Sequence, residues 1–183
     1  MPTGAPSSPR CSPMLADTDW PAPMWSPARE DYQAHVQTVF EASAATTLLG
    51  CTLGHIEPGY VEVELPCRKE VTQQHGFVHG GILGVIADAA AALAALTVAP
   101  AGTIGVTVEY KINLLEAACG EKIVARGRLI RQGHLVTIAG ADLFAIAHTG
   151  REHFVATALV TLAGTQRRRR AATTQQTVIQ RCL

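Results

Sequence analysis

The chain has 183 residues, 48% of them hydrophobic, with fifteen Lys/Arg balancing fifteen Asp/Glu, which suits one domain with a substantial core and appendages. Ten Lys/Arg and all fifteen acids precede Gln166 while five Arg and no acid follow it, so the body lacks the basic footprint that nucleic-acid binding requires. The five cysteines, Cys11, Cys51, Cys67, Cys119 and Cys182, form no CxxC pair and have no His at ligand spacing, which argues against zinc and a disulfide framework and for a reducing, cytoplasmic setting.

Residues 1–28 are rich in Pro, Ser and Ala without a repeating apolar face and read as a disordered or surface-draped arm, with Trp20 and Trp25 as its anchors to the body. Prolines 2, 6, 9 and 13 interrupt any apolar core of a secretory signal. A compact domain is expected over 29–164. It opens on an amphipathic helix over 29–49, carrying Tyr32, Val36, Val39, Phe40 and Ala44 at helical spacing and Glu30 and Asp31 in its first turn. Strands are expected over 51–56 and 60–65, where Val61, Val63 and Leu65 alternate with Glu62 and Glu64, with a turn at Pro58-Gly59.

The segment Gln73-Gln74-His75-Gly76-Phe77-Val78-His79-Gly80-Gly81 then leads into a long apolar run. Between Gly80 and Val108 the only charged side chain is Asp88. Burying a carboxylate is costly unless it is neutralised, hydrogen-bonded or retained for chemistry. A helix starting near Gly80 leaves its first N–H groups without intrahelical partners, and glycines without Cβ let a carbonyl approach them. The helix dipole adds positive potential at the same end. This is equipment for acyl transfer. Its apolar neighbours Ile86, Ala87, Ala89 and Ala90 should desolvate Asp88. The run is dominated by Ala and Gly rather than Leu and Phe, holds Asp88 near its middle, and is followed by strands, so it reads as a core helix and not a membrane span.

Asp88 follows His79 by nine residues, about 13 Å along one helix at roughly 1.5 Å per residue. The two cannot touch one carbonyl. Two such helices packed antiparallel in a dimer would instead bring Asp88 of one copy to the Gly80 amide of the other.

Strands are expected over 103–115, 121–131, 135–147 and 152–162, separated by Gly120, Gly133 and Gly150. Strands on both sides of a buried helix imply an α+β architecture in which an antiparallel sheet packs around it. The remainder, 165–183, with Arg167 to Arg170 and a Thr/Gln-rich continuation, reads as a basic, solvated tail.

With Gln73, His79-Gly80-Gly81 and Asp88 at this spacing, and continuing through Gly105 to Asn113, the sequence resembles the hotdog-fold acyl-CoA thioesterases of the phenylacetate-pathway and 4-hydroxybenzoyl-CoA type over roughly residues 30–164. The resemblance implies a hotdog fold, in which an antiparallel sheet wraps a long helix. It implies hydrolysis of an acyl-CoA, with no cofactor beyond the coenzyme A of the substrate, in a homodimer or dimer of dimers. It further implies that Gln73 assists near the oxyanion end, that His79 orients the turn, and that Thr107 supplies a hydroxyl to hold the attacking water. A His that only caps the helix is an equally ordinary reading of His79, and half-buried packing is the more ordinary reading of a strand Thr such as Thr107. Asp88 would act as general base or as nucleophile. Ala92, one turn after Asp88, departs from relatives that carry a hydroxyl there.

His75 and His79 stand at metal-ligand spacing for a helix, but the surrounding glycines favour a turn, and no metal is assigned. Lys111, Arg126, Arg128 and Arg131 are solvated charges to which no coenzyme A contact is assigned. A GxSxG elbow, a phosphate loop and a GxGxxG motif are absent. The other class that the sequence allows is a non-catalytic acyl-CoA-binding module or ligand sensor.

Overall fold

The computed structural model describes residues 25–166. The first 24 residues, including Trp20, and the arginine run of the expected tail lie outside the described residues. The elements in chain order are α1 (Tyr32–Glu41), α2 (Ala44–Leu49), β1 (Thr52–Glu57), β2 (Tyr60–Pro66), a short 3-10 turn (Lys69–Val71), α3 (Gly80–Leu96), β3 (Thr103–Leu114), β4 (Lys122–Gln132), β5 (Val136–Ile146) and β6 (Glu152–Gln166).

The helix expected over 29–49 is divided in two. Ser43 adopts an extended ψ of 105° and its side chain accepts from the Thr46 N–H, so it caps α2 rather than continuing α1. Gly50, with φ +71°, ends α2 in the left-handed region. Glu30 and Asp31 precede α1 instead of forming its first turn, and Asp31 pairs with Arg29 at 2.5 Å. Val36 and Phe40 are buried, whereas Val39 is exposed.

All strand pairs are antiparallel, in the order β1-β2-β4-β5-β6-β3. The Glu57–Tyr60 hairpin closes through Pro58 and Gly59, whose φ of +80° no L side chain adopts readily. The Trp25 ring packs against Gly59, and the Gly59 N–H donates to the buried Thr97 hydroxyl at the end of α3 at 2.7 Å. The sheet curls around α3, whose Ile86, Ala87, Ala90 and Ala94 are fully buried against Leu65, Ile123, Leu143 and Val160. Helix and sheet come into close approach at Gly127 of β4, where a Cβ would lie 2.1 Å from the Ala90 carbonyl oxygen. This is the antiparallel sheet wrapped on a central helix that the sequence implies. Strand β6 runs two residues past the boundary expected at 164, with Thr165 paired to Ile104 and Gln166 to Thr103.

Candidate active site

The amino end of α3 is set by a small hairpin. The Gln73 N–H donates to Phe77 O at 2.8 Å, the Gly76 N–H returns to Gln73 O at 2.9 Å, and Thr72 bridges Val78. Gly76 takes φ +85°, so the stretch is a turn and not a helix, and His75 and His79 do not share a helical face. The hairpin is tied to the body by Val78 N–H to Ala118 O at 2.8 Å and His79 N–H to Val71 O at 2.9 Å. Gln73 spends its side-chain oxygen inside this turn, accepting from the His75 N–H.

His79 is the N-cap of α3. Its Nδ1 accepts from the Gly81 N–H at 2.9 Å, which requires the neutral ring to carry its proton on Nε2. Of the two glycine amides expected to face a substrate, Gly81's is therefore occupied. The Ile82 and Leu83 N–H groups both turn back to His79 O. Gly80 is left as the donor of the first turn with no acceptor among the described residues.

Asp88 lies eight residues beyond Gly80, about 12 Å along α3 at roughly 1.5 Å per residue. Within one chain it is half-buried rather than enclosed by its apolar neighbours. The helical period turns Ile86, Ala87 and Ala90 to the sheet, while Asp88 shares a less covered stripe with Gly81, Val85, Ala89 and Ala92. Its partner is Thr107 on β3, whose hydroxyl donates to Asp88 Oδ1 at 2.7 Å. A bulge between Thr107 and Glu109 shifts the register of β3 on β6 at this point, a device that re-aims side chains beside functional sites.

The candidates thus form two groups: Gln73, His79 and Gly80 at the helix start, and Asp88 with Thr107 farther along it. A thioester carbonyl could accept from the Gly80 N–H, and a carboxylate whose one oxygen is held by Thr107 keeps the other free for a water or a carbonyl carbon. Leu114 covers Gly80, its Cδ1 lying 2.7 Å from where a Cβ would stand, and the Tyr110 hydroxyl lies 2.9 Å from the corresponding point on Gly84. Tyr110 was not among the sequence candidates; its alternation with Leu114 on one face of β3 is the signal that points to it.

The four basic residues considered for a phosphate occupy other roles or none. Arg126 is held between Glu62 at 3.2 Å and Glu152 at 2.7 Å, Arg128 pairs with Asp142, and Lys111 bonds Asn113 at 2.9 Å. Among the described residues no three His, Cys, Asp or Glu are grouped as metal ligands, and no helix is long and apolar enough to cross a membrane.

Residues 75–146 match the thioesterase superfamily. A crystal structure of a thioesterase family protein from Silicibacter pomeroyi superposes with a TM-score of 0.72 at 32% identity, over 74% of this chain and 99% of that one. Acyl-coenzyme A thioesterase 13 of Mus musculus is 32% identical over 85 residues, which span 44% of this chain and 60% of the mouse protein. The Escherichia coli PaaI protein of the phenylacetic acid degradation operon shares the fold, with a TM-score of 0.63 at 18% identity, over 74% of this chain and 94% of that one.

Proposed function

The chain belongs to the thioesterase superfamily, and from that membership we propose that it hydrolyses an acyl-CoA to free acid and coenzyme A at sites shared between two copies. The observation that carries the reading is the pairing of one unoccupied helix-start amide, Gly80, with one hydroxyl-held carboxylate, Asp88, too far apart on α3 to serve a single carbonyl.

In this scheme the thioester oxygen accepts from the Gly80 N–H of one copy, and negative charge grows on that oxygen as the carbonyl carbon is attacked. Removal of one such donor typically raises the barrier by ~2.7–4 kcal/mol. Asp88 of the other copy takes a proton from the attacking water. Collapse of the tetrahedral intermediate breaks the C–S bond, and the thiolate leaves as coenzyme A after protonation. In the nucleophilic variant the Asp88 carboxylate attacks first, and water then cleaves the mixed anhydride; both routes give the same products. Thr107 fixes Asp88 in either route, His79 holds the helix start, and Gln73 shapes the turn. No cofactor is needed beyond the coenzyme A of the substrate.

Two features support pairing of copies. Among the described residues strand β3 bonds only β6 and its outer edge has no partner, and it exposes Val106, Val108, Tyr110 and Leu114, an apolar edge of the kind that proteins cover. The half-covered stripe of α3 that carries Asp88 is the second. A homodimer uses both, and a dimer of dimers extends it. The acyl group would sit beside Leu114 and Tyr110, and aryl, phenylacetyl-like and medium-chain acids are all candidates for it.

The test is thiol release from a panel of acyl-CoA thioesters by the wild type and by Asp88→Asn, which should lower kcat by about two orders of magnitude or more with the fold intact. Binding of acyl-CoA without turnover by the wild type would favour the non-catalytic module. A fully active Asp88→Asn would remove that residue from the mechanism.

A further inference from the structure

A cavity of about 380 Å³ opens against the hairpin that delivers Gly80, and its lining includes Arg68, Lys69, Thr72, Gly76, Cys119 and Gly120. Two basic residues and no acid line it. This is unlike the outer face of the sheet, where Lys122, Arg126 and Arg128 are each tied to a carboxylate. Lys69 makes no ion pair among the described residues. Arg68 is oriented by a backbone carbonyl, Leu48 O at 2.9 Å, and comes only within 4.0 Å of the exposed Glu70, so several of its five donors remain for a ligand. Gly76 leaves open space where a side chain would stand.

The cavity is also mechanically continuous with the helix start. Gly76 and Val78 line it, and Val78 precedes Gly80 by two residues, a reach of about 7 Å at most. The two hydrogen bonds that fix this hairpin, Val78 to Ala118 and His79 to Val71, hold cavity and amide donor in one piece. An anion seated at Arg68 and Lys69 would therefore lie at a fixed offset from a carbonyl held by the Gly80 amide.

We propose that this cavity binds the phosphate chain of the thiol carrier, with Arg68 and Lys69 gripping the diphosphate of coenzyme A and anchoring the pantetheine arm toward Gly80. The proposal rests on the thioesterase reading and adds the carrier-recognition site to it. The chemistry recognised is a phosphorylated pantetheine, whose two sources are coenzyme A and the phosphodiester-linked arm of a carrier protein. Two cations match the doubly charged diphosphate of the first better than the single charge of the second.

The experiment compares one acyl group on three carriers: coenzyme A, unphosphorylated pantetheine and an acyl carrier protein. It uses the full chain and the Arg68→Gln, Lys69→Gln double variant, with melting temperature as the check on folding. The kcat/KM preference for the coenzyme A thioester over the pantetheine thioester should fall at least tenfold in the variant, through KM. KM of the wild type for the coenzyme A thioester should rise with salt, and that rise should flatten in the variant. A matching loss confined to the carrier-protein thioester would assign the cavity to that source. An unchanged carrier preference, or equal losses on the phosphorylated and unphosphorylated thioesters, would overturn the proposal. Calorimetry with free coenzyme A separates the two readings. If the wild type binds it and the variant binds at least tenfold more weakly, the site stands even where no thioester is hydrolysed, whereas equal binding by both proteins removes the site and leaves hydrolysis untouched.

Discussion

Replacement of Thr107 by valine removes one hydroxyl and little volume from the contact that holds Asp88. The bond lost is a 2.7 Å donation to a carboxylate oxygen. Hydrogen bonds to charged groups contribute about 1.5–3 kcal/mol, and half-burial of the pair places the loss toward the lower end, so kcat should fall about tenfold. KM should change little, because Thr107 acts through Asp88 and not on the acyl group. The assay is steady-state thiol release with one good acyl-CoA, run beside Thr107→Ser, which keeps the donor and should stay within about threefold of the wild type. The melting temperature is the control. A valine variant with wild-type kcat would show that Thr107 is strand packing. A serine variant as slow as valine would show that the methyl group, and not the hydroxyl, is what the site requires.

Three further outcomes follow from the packing and the thiols. Gly127→Ala places a methyl carbon 2.1 Å from Ala90 O, and because neither backbone can yield cheaply it should cost about 3 kcal/mol or more, seen as a large fall in melting temperature. Activity should fall with it, since Ala90 is two residues from Asp88. Cys51 is buried, and burial pushes its thiol up to about 11, so iodoacetamide at pH 8 should label the exposed Cys119 and spare Cys51 in the folded protein, as peptide mass spectrometry would read. The sign of the linkage is fixed: the unfolded thiol ionises near 9 while the folded one stays neutral, so the contribution of Cys51 to stability is lost as pH rises from about 9 to 11 and is absent from Cys51→Ala.

Much of the fold is written in local chemistry. Pro58-Gly59, the period-two alternation of 60–65 and the glycines at 120, 133 and 150 mark turns and strands that need no long-range information. The helix start at Gly80 is marked in the same way. The break at Ser43 was hidden because the apolar spacing runs through it, and only the competition of its hydroxyl for the Thr46 amide ends one helix and caps the next. The site is harder to read, because its bonds join distant elements. Thr107 and Asp88 are nineteen residues apart and meet through the curl of the sheet. That His79 occupies the Gly81 amide, leaving Gly80 alone, depends on a side-chain rotamer. Among the apolar residues around the helix start, Phe77 and Leu114 are exposed, whereas Val78, Leu83 and Ile86 belong to the core, a division that depends on the tertiary fold.

The shared site is tested most directly by mixing two inactive proteins. Gly80→Pro removes the donor while keeping the helix start: proline suits the first helical position, His79 already has the extended φ −64° and ψ 134° that a following proline demands, and the crowding atom is the flexible end of Leu114. Asp88→Asn removes the carboxylate. Each hybrid dimer then holds one intact site, Gly80 from the Asp88→Asn chain with Asp88 from the Gly80→Pro chain, and one doubly defective site. Random exchange of equal amounts should restore about a quarter of the wild-type rate, since half the chains enter hybrids and half of their sites are whole. No recovery in a mixture where native mass spectrometry demonstrates the hybrid would contradict a site built from two copies.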